Sequence, residues 1–143
     1  MSEQAKKDPA GYPDFTQIFY MYDLSPFGSA LKMIKTGTQK VLFGSVQNGS
    51  ITLYTVPSGK MAFLYYLVFS ARNFSSTATE QAIVQYLIGG ARSTYILLYY
   101  IPPNGAIATG IAFTFMMMSA GDSIILRADT DVAAYAAIVV VEV

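Results

Sequence analysis

The feature that most constrains this sequence is a series of strand-like runs that begins at Lys40 and continues to residue 143. Each run is rich in β-branched or aromatic residues, and turn residues separate one run from the next. The clearest separators are Asn48-Gly49, the segments 57–59 and 102–105, and Gly89-Gly90. Roughly eight strands at such spacing predict an all-β, single-domain, two-sheet antiparallel β-sandwich of the jelly-roll type. We expect Asn48-Gly49 to form a hairpin.

Residues 1–39 have a different character and are predicted to be an N-terminal arm preceding a β-sandwich domain at 40–143. This segment combines half of the six prolines with many aromatic residues. A short helix near 14–23 is one possibility, since Asp14 could cap it and its aromatic side chains would share one face. The segment either packs on its own domain or docks on a neighbouring subunit. The predicted inter-subunit residues are Tyr12, Phe15, Ile18, Phe19, Tyr22 and Phe27.

No charged residue lies between Arg92 and Asp122, and this length exceeds the roughly 20 residues that a membrane-spanning helix needs. The turn at 102–105 interrupts the stretch, however, and residues 106–117 alternate between larger and smaller side chains. A period of two is typical of a strand. We therefore predict a buried sheet here and no membrane partner.

The composition predicts a protein that buries much of its surface against other subunits. It is 53% hydrophobic and only 13% charged, whereas a typical soluble domain is about 25% charged. The net charge of zero argues against a nucleic-acid partner. Because the chain contains neither Cys nor His, we expect no enzyme activity, no cofactor and no metal site.

Two groups of side chains could carry chemistry. Asp122, Asp129 and Asp131 offer oxygen ligands for calcium, but a strand would separate the first from the last, so we interpret them as turn acids. Tyr95, Tyr99 and Tyr100 could form a platform for sugars, or could belong to the core or an interface. In the strand that starts at residue 123, alternation predicts Ile124, Leu126 and Ala128 inward, with Arg127 and Asp129 outward.

The last strand ends in an unbroken β-branched run, which would promote aggregation at an exposed edge. It must pair inside the sheet or lie at a subunit interface. We predict an interface strand formed by Ile138, Val139, Val140 and Val141. The small-residue face of 106–116 is the other candidate, and a trimer is the favoured assembly.

Two segments carry a resemblance to a known group of proteins. They are YTVPSGKMAFLYYLVFSARNFSS at 54–76 and MMMSAGDSIILRADTDVAAYAAIVVVEV at 116–143. In each, a glycine-containing turn opens a core strand. Together they resemble the small β-sandwich or jelly-roll proteins on bacteriophage and archaeal-virus particles, namely capsid, capsid-decoration and fibre-head subunits. Cellular C1q- and TNF-like modules use similar turns.

The resemblance implies a virion structural protein that self-assembles as a capsid, decoration or turret subunit alongside other virion proteins. The aromatic- and methionine-rich body without cysteine would suit a virus of a hot environment. The alternative is a fibre-head or lectin-like module that binds a host glycan through the loops 73–79, 89–94 and 102–105.

Overall fold

The structure, a computed structural model, describes residues 37–143, with the side chains of 112–115 left out. This part of the chain contains six strands and no helix. The strands are β1 (Thr38–Thr55), β2 (Met61–Asn73), β3 (Glu80–Ile88), β4 (Arg92–Ile101), β5 (Ala106–Ser119) and β6 (Ser123–Glu142). Every pair is antiparallel. The predicted all-β class is confirmed. The predicted arm lies outside the described residues up to residue 36, while Thr38 and Gln39 at its end belong to β1; the possible helix lies outside the described residues.

Two long strands, β1 and β6, run side by side through the whole sheet. Residues 38–47 of β1 and 132–142 of β6 belong to the β2–β5 half, whose strand order is β1-β6-β2-β5. The remaining parts of β1 and β6 belong to the β3–β4 half, whose order is β1-β6-β3-β4. The six strands therefore contain all eight predicted runs, because two pairs of runs are joined.

The predicted hairpin at Asn48-Gly49 is wrong. Both flanking segments pair with β6 instead of with each other, and the register shifts by three residues between Gln47 and Gly49, because residues 129–132 of β6 lie opposite Asn48. Asn48 has a φ of 51°, a left-handed conformation that Asn tolerates better than most residues. The pair thus lies inside one continuous strand, at an irregularity in the pairing where the extra residues belong to β6. The predicted turn near Thr130 is likewise absorbed into β6.

The sheet curls so that its two halves face each other across one core. The rings of Phe69 on β2 and Tyr99 on β4 stack with centroids 5.7 Å apart, although β3 and β6 lie between their strands in the sheet order. A Cβ on Gly44 would lie 2.6 Å from the Ile51 Cδ1 atom of the same strand. Only glycine lets the two parts of β1 approach this closely without a shift. The antiparallel strands thus form one curled sheet, and the two-sheet jelly roll stays a prediction.

Strand β6 supplies the centre of the core. Ile124, Leu126 and Ala128 are buried while Arg127 is exposed, which confirms the predicted alternation. The core cluster draws on all six strands and on segments beside them; its fully buried members of large volume are Phe69, Leu64, Leu67, Met118, Ile124, Leu126, Ile138, Val56, Val84, Val132 and Val140. Burying such side chains contributes about 1.5–3 kcal/mol each.

Buried polar side chains hold neighbouring segments together at each end of the sheet. At the end where β1 and β6 bend, the Asn73 side-chain amide donates to the backbone oxygens of Ala78, Ile101 and Pro102, and its Oδ1 accepts from the Ser75 amide. At the opposite end, Glu142 Oε1 accepts from the Tyr54 hydroxyl at 2.7 Å. These bonds join segments that the strand ladders do not connect.

Candidate assembly surface

The β2–β5 half presents one face to the core and the other, which we call the outer face, away from it. On the outer face the register aligns Phe43, Ala137, Val68 and Gly110 in one row across four strands. The next row towards the chain termini contains Val41, Val139 and Tyr66. Alternation places these residues together because every second residue of a strand points to the same side.

The outer face is apolar and exposed. Phe43 and Val41 on β1 are 73% and 61% exposed, and Tyr66, Val68 and Tyr135 each keep about two-fifths of their surface in contact with solvent. The two rows contain no charged side chain among the described residues. A contiguous apolar patch of this kind on a folded domain marks an interaction surface.

Strand β2 is apolar on both sides but is covered on only one of them by the described residues. The inward side chains Leu64, Leu67 and Phe69 are fully buried, but Tyr66 and Val68 on the opposite side are exposed. The curled sheet covers only its inner face. Within residues 37–143 nothing covers the outer side of β2.

The outer face becomes polar near the bend of β1. A shallow groove of about 700 Å³ lies there, and it crosses β1, β6, β2 and β5. Alanines form much of its floor, and its polar groups are Ser45, Gln47, Ser70, Arg72 and Tyr135. The Arg72 guanidinium lies 5.0 Å from the centre of the Phe74 ring, a cation–π contact that orients the only charge in the groove.

Three strands lie at an edge of the sheet: within residues 37–143, β1 pairs only with β6, β5 only with β2, and β4 only with β3. Natural sheets usually protect their edges with charges, prolines or bulges. Here β5 carries no charge over its 14 residues. The part of β1 in the β2–β5 half carries only Lys40, whose Nζ lies 2.8 Å from Glu142 Oε2.

The predicted interface strand is largely internal to the domain. Ile138, Val140 and Val141 are buried, and only Val139 is partly exposed on the outer face. A role for this segment between subunits stays a prediction, and Val139 is the side chain that could serve it. The predicted arm residues, Tyr12 to Phe27, lie outside the described residues.

Although Met116 packs against the core, part of the predicted small-residue face of 106–116 lies on the outer face. Ala106, Ala108 and Gly110 are exposed there, at the free edge formed by β5. A Cβ on Gly110 would lie 2.6 Å from the Tyr66 hydroxyl oxygen, so glycine allows the tyrosine ring to lie across β5. At these positions the edge strand β5 therefore presents small side chains next to the large Tyr66 ring.

The acidic residues occupy two separate places. Asp122 accepts hydrogen bonds from the Tyr86 hydroxyl and from the Gly89 and Ser119 amides. Burial raises the pKa of Asp122, but these three bonds outweigh it and lower the pKa overall. Burial of the Tyr86 hydroxyl and its hydrogen bond to Asp122 raise the pKa of Tyr86 to about 12. Asp122 is therefore an acidic residue that stabilises a turn by accepting hydrogen bonds from backbone amides.

Asp129 and Asp131 lie at the bend of β6 instead. Asp129 accepts from the Gln81 amide at 2.9 Å. Desolvation and the two aspartates raise the pKa of Glu80. No group of three acidic side chains within residues 37–143 is arranged to hold a metal ion. No helix in the same range is long and apolar enough to span a membrane.

The structure brings only some of the predicted sugar-binding tyrosines and loops together. Tyr95 and Tyr100 are exposed, at 57% and 65%, whereas Tyr99 points into the core and stacks on Phe69. The loops 73–79 and 102–105 meet, because the Asn104 amide donates to the Ser75 oxygen. The turn that starts at Gly89 lies beside Asp122, at the far end of β3.

Comparison with known proteins identifies no family. No family model matches the chain, and no curated protein is similar to it. Among solved structures, a pentameric capsid protein isolated from metagenomic phage sequences is similar over 94% of this chain and 80% of its own, with a TM-score of 0.47 and 16% identity.

Two further structures show weaker similarity. The Yersinia pseudotuberculosis-derived mitogen has a TM-score of 0.30 and 12% identity over 72% of this chain and 85% of its own. A family 16 carbohydrate binding module has a TM-score of 0.31 and 17% identity over 70% and 67%. All three scores lie below 0.5, so the function has to be inferred from the surface of this chain.

Proposed function

We propose that this chain is a non-enzymatic structural subunit of a virus particle that self-associates through its outer face. The observation that carries the proposal is the uncharged outer face, on which Val41, Phe43, Tyr66 and Val68 are exposed. The charge-poor composition supports it as well, because a subunit that is buried in an assembly needs little polar surface. The proposed subunit type is a capsid, decoration or turret protein with a jelly-roll body.

The energetics favour association through this face. Burial of apolar surface contributes about 25 cal/mol per Å², so an interface of about 800 Å² on each partner has a large gross driving force. Phe43 can contribute more than its neighbours, because it is the most exposed large apolar side chain of the described residues. In the proposal, residues 1–39 add a clasp on the neighbouring subunit, and the assembly is a closed homo-oligomer such as a trimer.

Light scattering on the full chain tests the proposal. We expect a discrete multimer for the native chain and a loss of mass for Phe43→Lys, which introduces a charge at the β1 end of the apolar rows. Tyr100→Lys is the matched control, because Tyr100 is similarly exposed but lies on β4 in the other half. A native chain that stays monomeric at high concentration, or equal masses for both variants, would contradict the proposal.

Electron microscopy of the same samples addresses the virion role. A structural subunit is expected to form rings or shell-like particles that Phe43→Lys abolishes and Tyr100→Lys preserves. A deletion of residues 1–35 tests the clasp: the body should stay folded while assembly weakens. Unfolding of the body after this deletion would show that the segment belongs to the domain.

The groove at the polar end of the outer face favours a second candidate function, the binding of a host glycan. Tyr135 could stack on a sugar ring, while Ser45, Gln47, Ser70 and Arg72 could bond its hydroxyl or acidic groups. A glycan array with the native chain tests this candidate, and Tyr135→Ala should abolish any signal. An array without signal would exclude the glycans that it displays.

A further inference from the structure

Among residues 37–143, the β2–β5 half has two free edges, β1 and β5, whose strands run in opposite directions. In the order β1-β6-β2-β5 each strand is antiparallel to its neighbour. Strands β1 and β2 therefore run one way, and β6 and β5 run the other way. If a second copy is placed beside the first by a rotation about an axis along the strands, its β1 lies antiparallel to β5 of the first copy.

We propose that β5 of one copy pairs with residues 38–47 of β1 in the next copy, so that the β2–β5 halves close into a ring with one continuous antiparallel sheet. This inference rests on the self-association proposed above and names its contact. Pairing of this kind satisfies the unpaired backbone donors and acceptors of both edges with a single type of interface. A two-fold dimer through β1 alone would leave the charge-free β5 unpaired.

The side chains at the two edges permit this contact. Strand β5 has no charged residue, and Lys40 of β1 is held by Glu142, so no charge opposes the approach. The small residues Ala106 and Ala108 of β5 leave space on the outer face, and the Tyr66 ring over Gly110 offers an aromatic contact to the exposed Phe43 of the adjoining β1. In such a pair, the large apolar side chains of β1 would cover the small side chains of β5 in the neighbouring copy.

The other half is a weaker candidate for the same contact. Its portion of β1 is shorter, at residues 49–55, and it contains none of the exposed large hydrophobic side chains. Its other edge, β4, begins with the exposed Arg92. Strand β4 also carries the exposed Tyr95 and Tyr100, so the greater length of the strands and the lack of charge on β5 are what favour the β2–β5 half.

The area of the contact favours a ring over a simple dimer. Ten strand residues span about 33 Å and a sheet layer is about 10 Å thick, so one edge buries roughly 330 Å². A stable interface buries about 800 Å² on each partner. In a ring each copy makes two such contacts and buries roughly 660 Å² in all, to which the side chain of Phe43 adds. Closure thus offsets the small area of each single contact.

Disulfide cross-linking of the full chain tests the pairing, and the absence of native cysteine makes every thiol unique. Four single variants are prepared, namely Gln39→Cys and Ser45→Cys on β1, and Ala108→Cys and Met117→Cys on β5. Without a shift between copies, Ser45 would face Ala108 and Gln39 would face Met117, because the register places each pair at the same level of the sheet. A mixture of Ser50→Cys and Tyr95→Cys, at the edges of the other half, is the control.

We expect a covalent dimer after mild oxidation of a β1 variant mixed with a β5 variant, and none for any single variant alone. A staggered register would change which of the four mixtures reacts most. A dimer formed by a β1 variant alone would show two-fold pairing and overturn the ring. Cross-linking only in the control mixture would assign the contact to β4 and overturn it as well.

The mass of the untreated native chain separates the two proposals. A multimer by light scattering without any β1–β5 cross-link would refute the strand pairing and leave self-association through the outer face in place. A monomer would refute both. The expected combination is a multimer whose subunits become covalently joined only through β1–β5 mixtures.

Discussion

The side chain of Asn73 is predicted to be a major contributor to the stability of the folded domain. It is completely buried at the end of β2. Its amide group donates to three backbone oxygens, those of Ala78, Ile101 and Pro102, at 2.8, 2.9 and 3.2 Å, and its oxygen accepts from the Ser75 amide at 2.9 Å. These partners come from the loop after β2 and from the end of β4. Replacing Asn73 with alanine should therefore loosen both.

The expected loss of stability follows from the number of bonds. An amide has two N–H groups, so the three donated contacts amount to two full bonds, and the accepted bond makes three. At about 1 kcal/mol for each bond, Asn73→Ala should lower the free energy of unfolding by about 3 kcal/mol. The total for a domain is about 5–15 kcal/mol, so the effect is large. A chain of this size should lose roughly 10 °C in Tm.

Urea unfolding of the full chain, followed by tyrosine fluorescence, measures this difference. Ser76→Ala is the matched control, because Ser76 is exposed in the same loop and should change the free energy by less than about 0.5 kcal/mol. The reasoning would be refuted if Asn73→Ala were as stable as the control. A change in the slope of the transition would instead show that the unfolded state had changed.

Three further predictions concern other contacts. Gly44→Val should destabilise the domain by about 1–3 kcal/mol in thermal unfolding, because its side chain would collide with the second part of β1. Tyr54→Phe should cost about 2 kcal/mol in urea unfolding, because Glu142 loses a buried donor. Tyr86→Phe should make the domain more sensitive to acid, as followed by circular dichroism between pH 2 and 7, since the Tyr86 hydroxyl helps to lower the pKa of Asp122.

The sign of the acid effect follows from linkage. A carboxylate whose folded pKa is lowered contributes stability above its unfolded pKa of 3.8, and this contribution disappears as the pH falls through the folded value. Tyr86→Phe should therefore unfold at a higher pH than the native chain. Tyr86 itself has a folded pKa of about 12, so its contribution is complete below pH 10 and disappears as the pH rises through about 12.

Each of these predictions has an outcome that contradicts it. Equal acid transitions for Tyr86→Phe and the native chain would show that Tyr86 does not influence Asp122. Tyr95→Phe controls for the loss of a tyrosine hydroxyl, because Tyr95 is exposed, and it should match the native chain in every assay. A native-like Tm for Gly44→Val would mean that the flexible ends of the facing side chains move aside.

Local patterns in the sequence were sufficient to predict where the strands lie and which of their residues point inward. Alternation identified the inward residues of β6, from Ile124 to Ala128, because the side chains of a strand point to opposite sides in turn. The charge-poor composition likewise predicted a surface that needs a partner, and the outer face supplies one. The glycine and proline turns after β1, β3 and β4 were also predicted, because their backbone requirements are local.

The pairing of the strands required the folded chain. Asn48-Gly49 is the usual signal of a hairpin, yet β6 pairs with both flanking segments, so that the site lies inside one continuous strand. The same pairing buries Ile138, Val140 and Val141 and leaves Phe43 exposed, although all four side chains are apolar. Hydropathy is a property of each residue, whereas the choice of which apolar face is covered depends on contacts between strands far apart in the chain. Tertiary structure alone therefore located the outer face and its free edges.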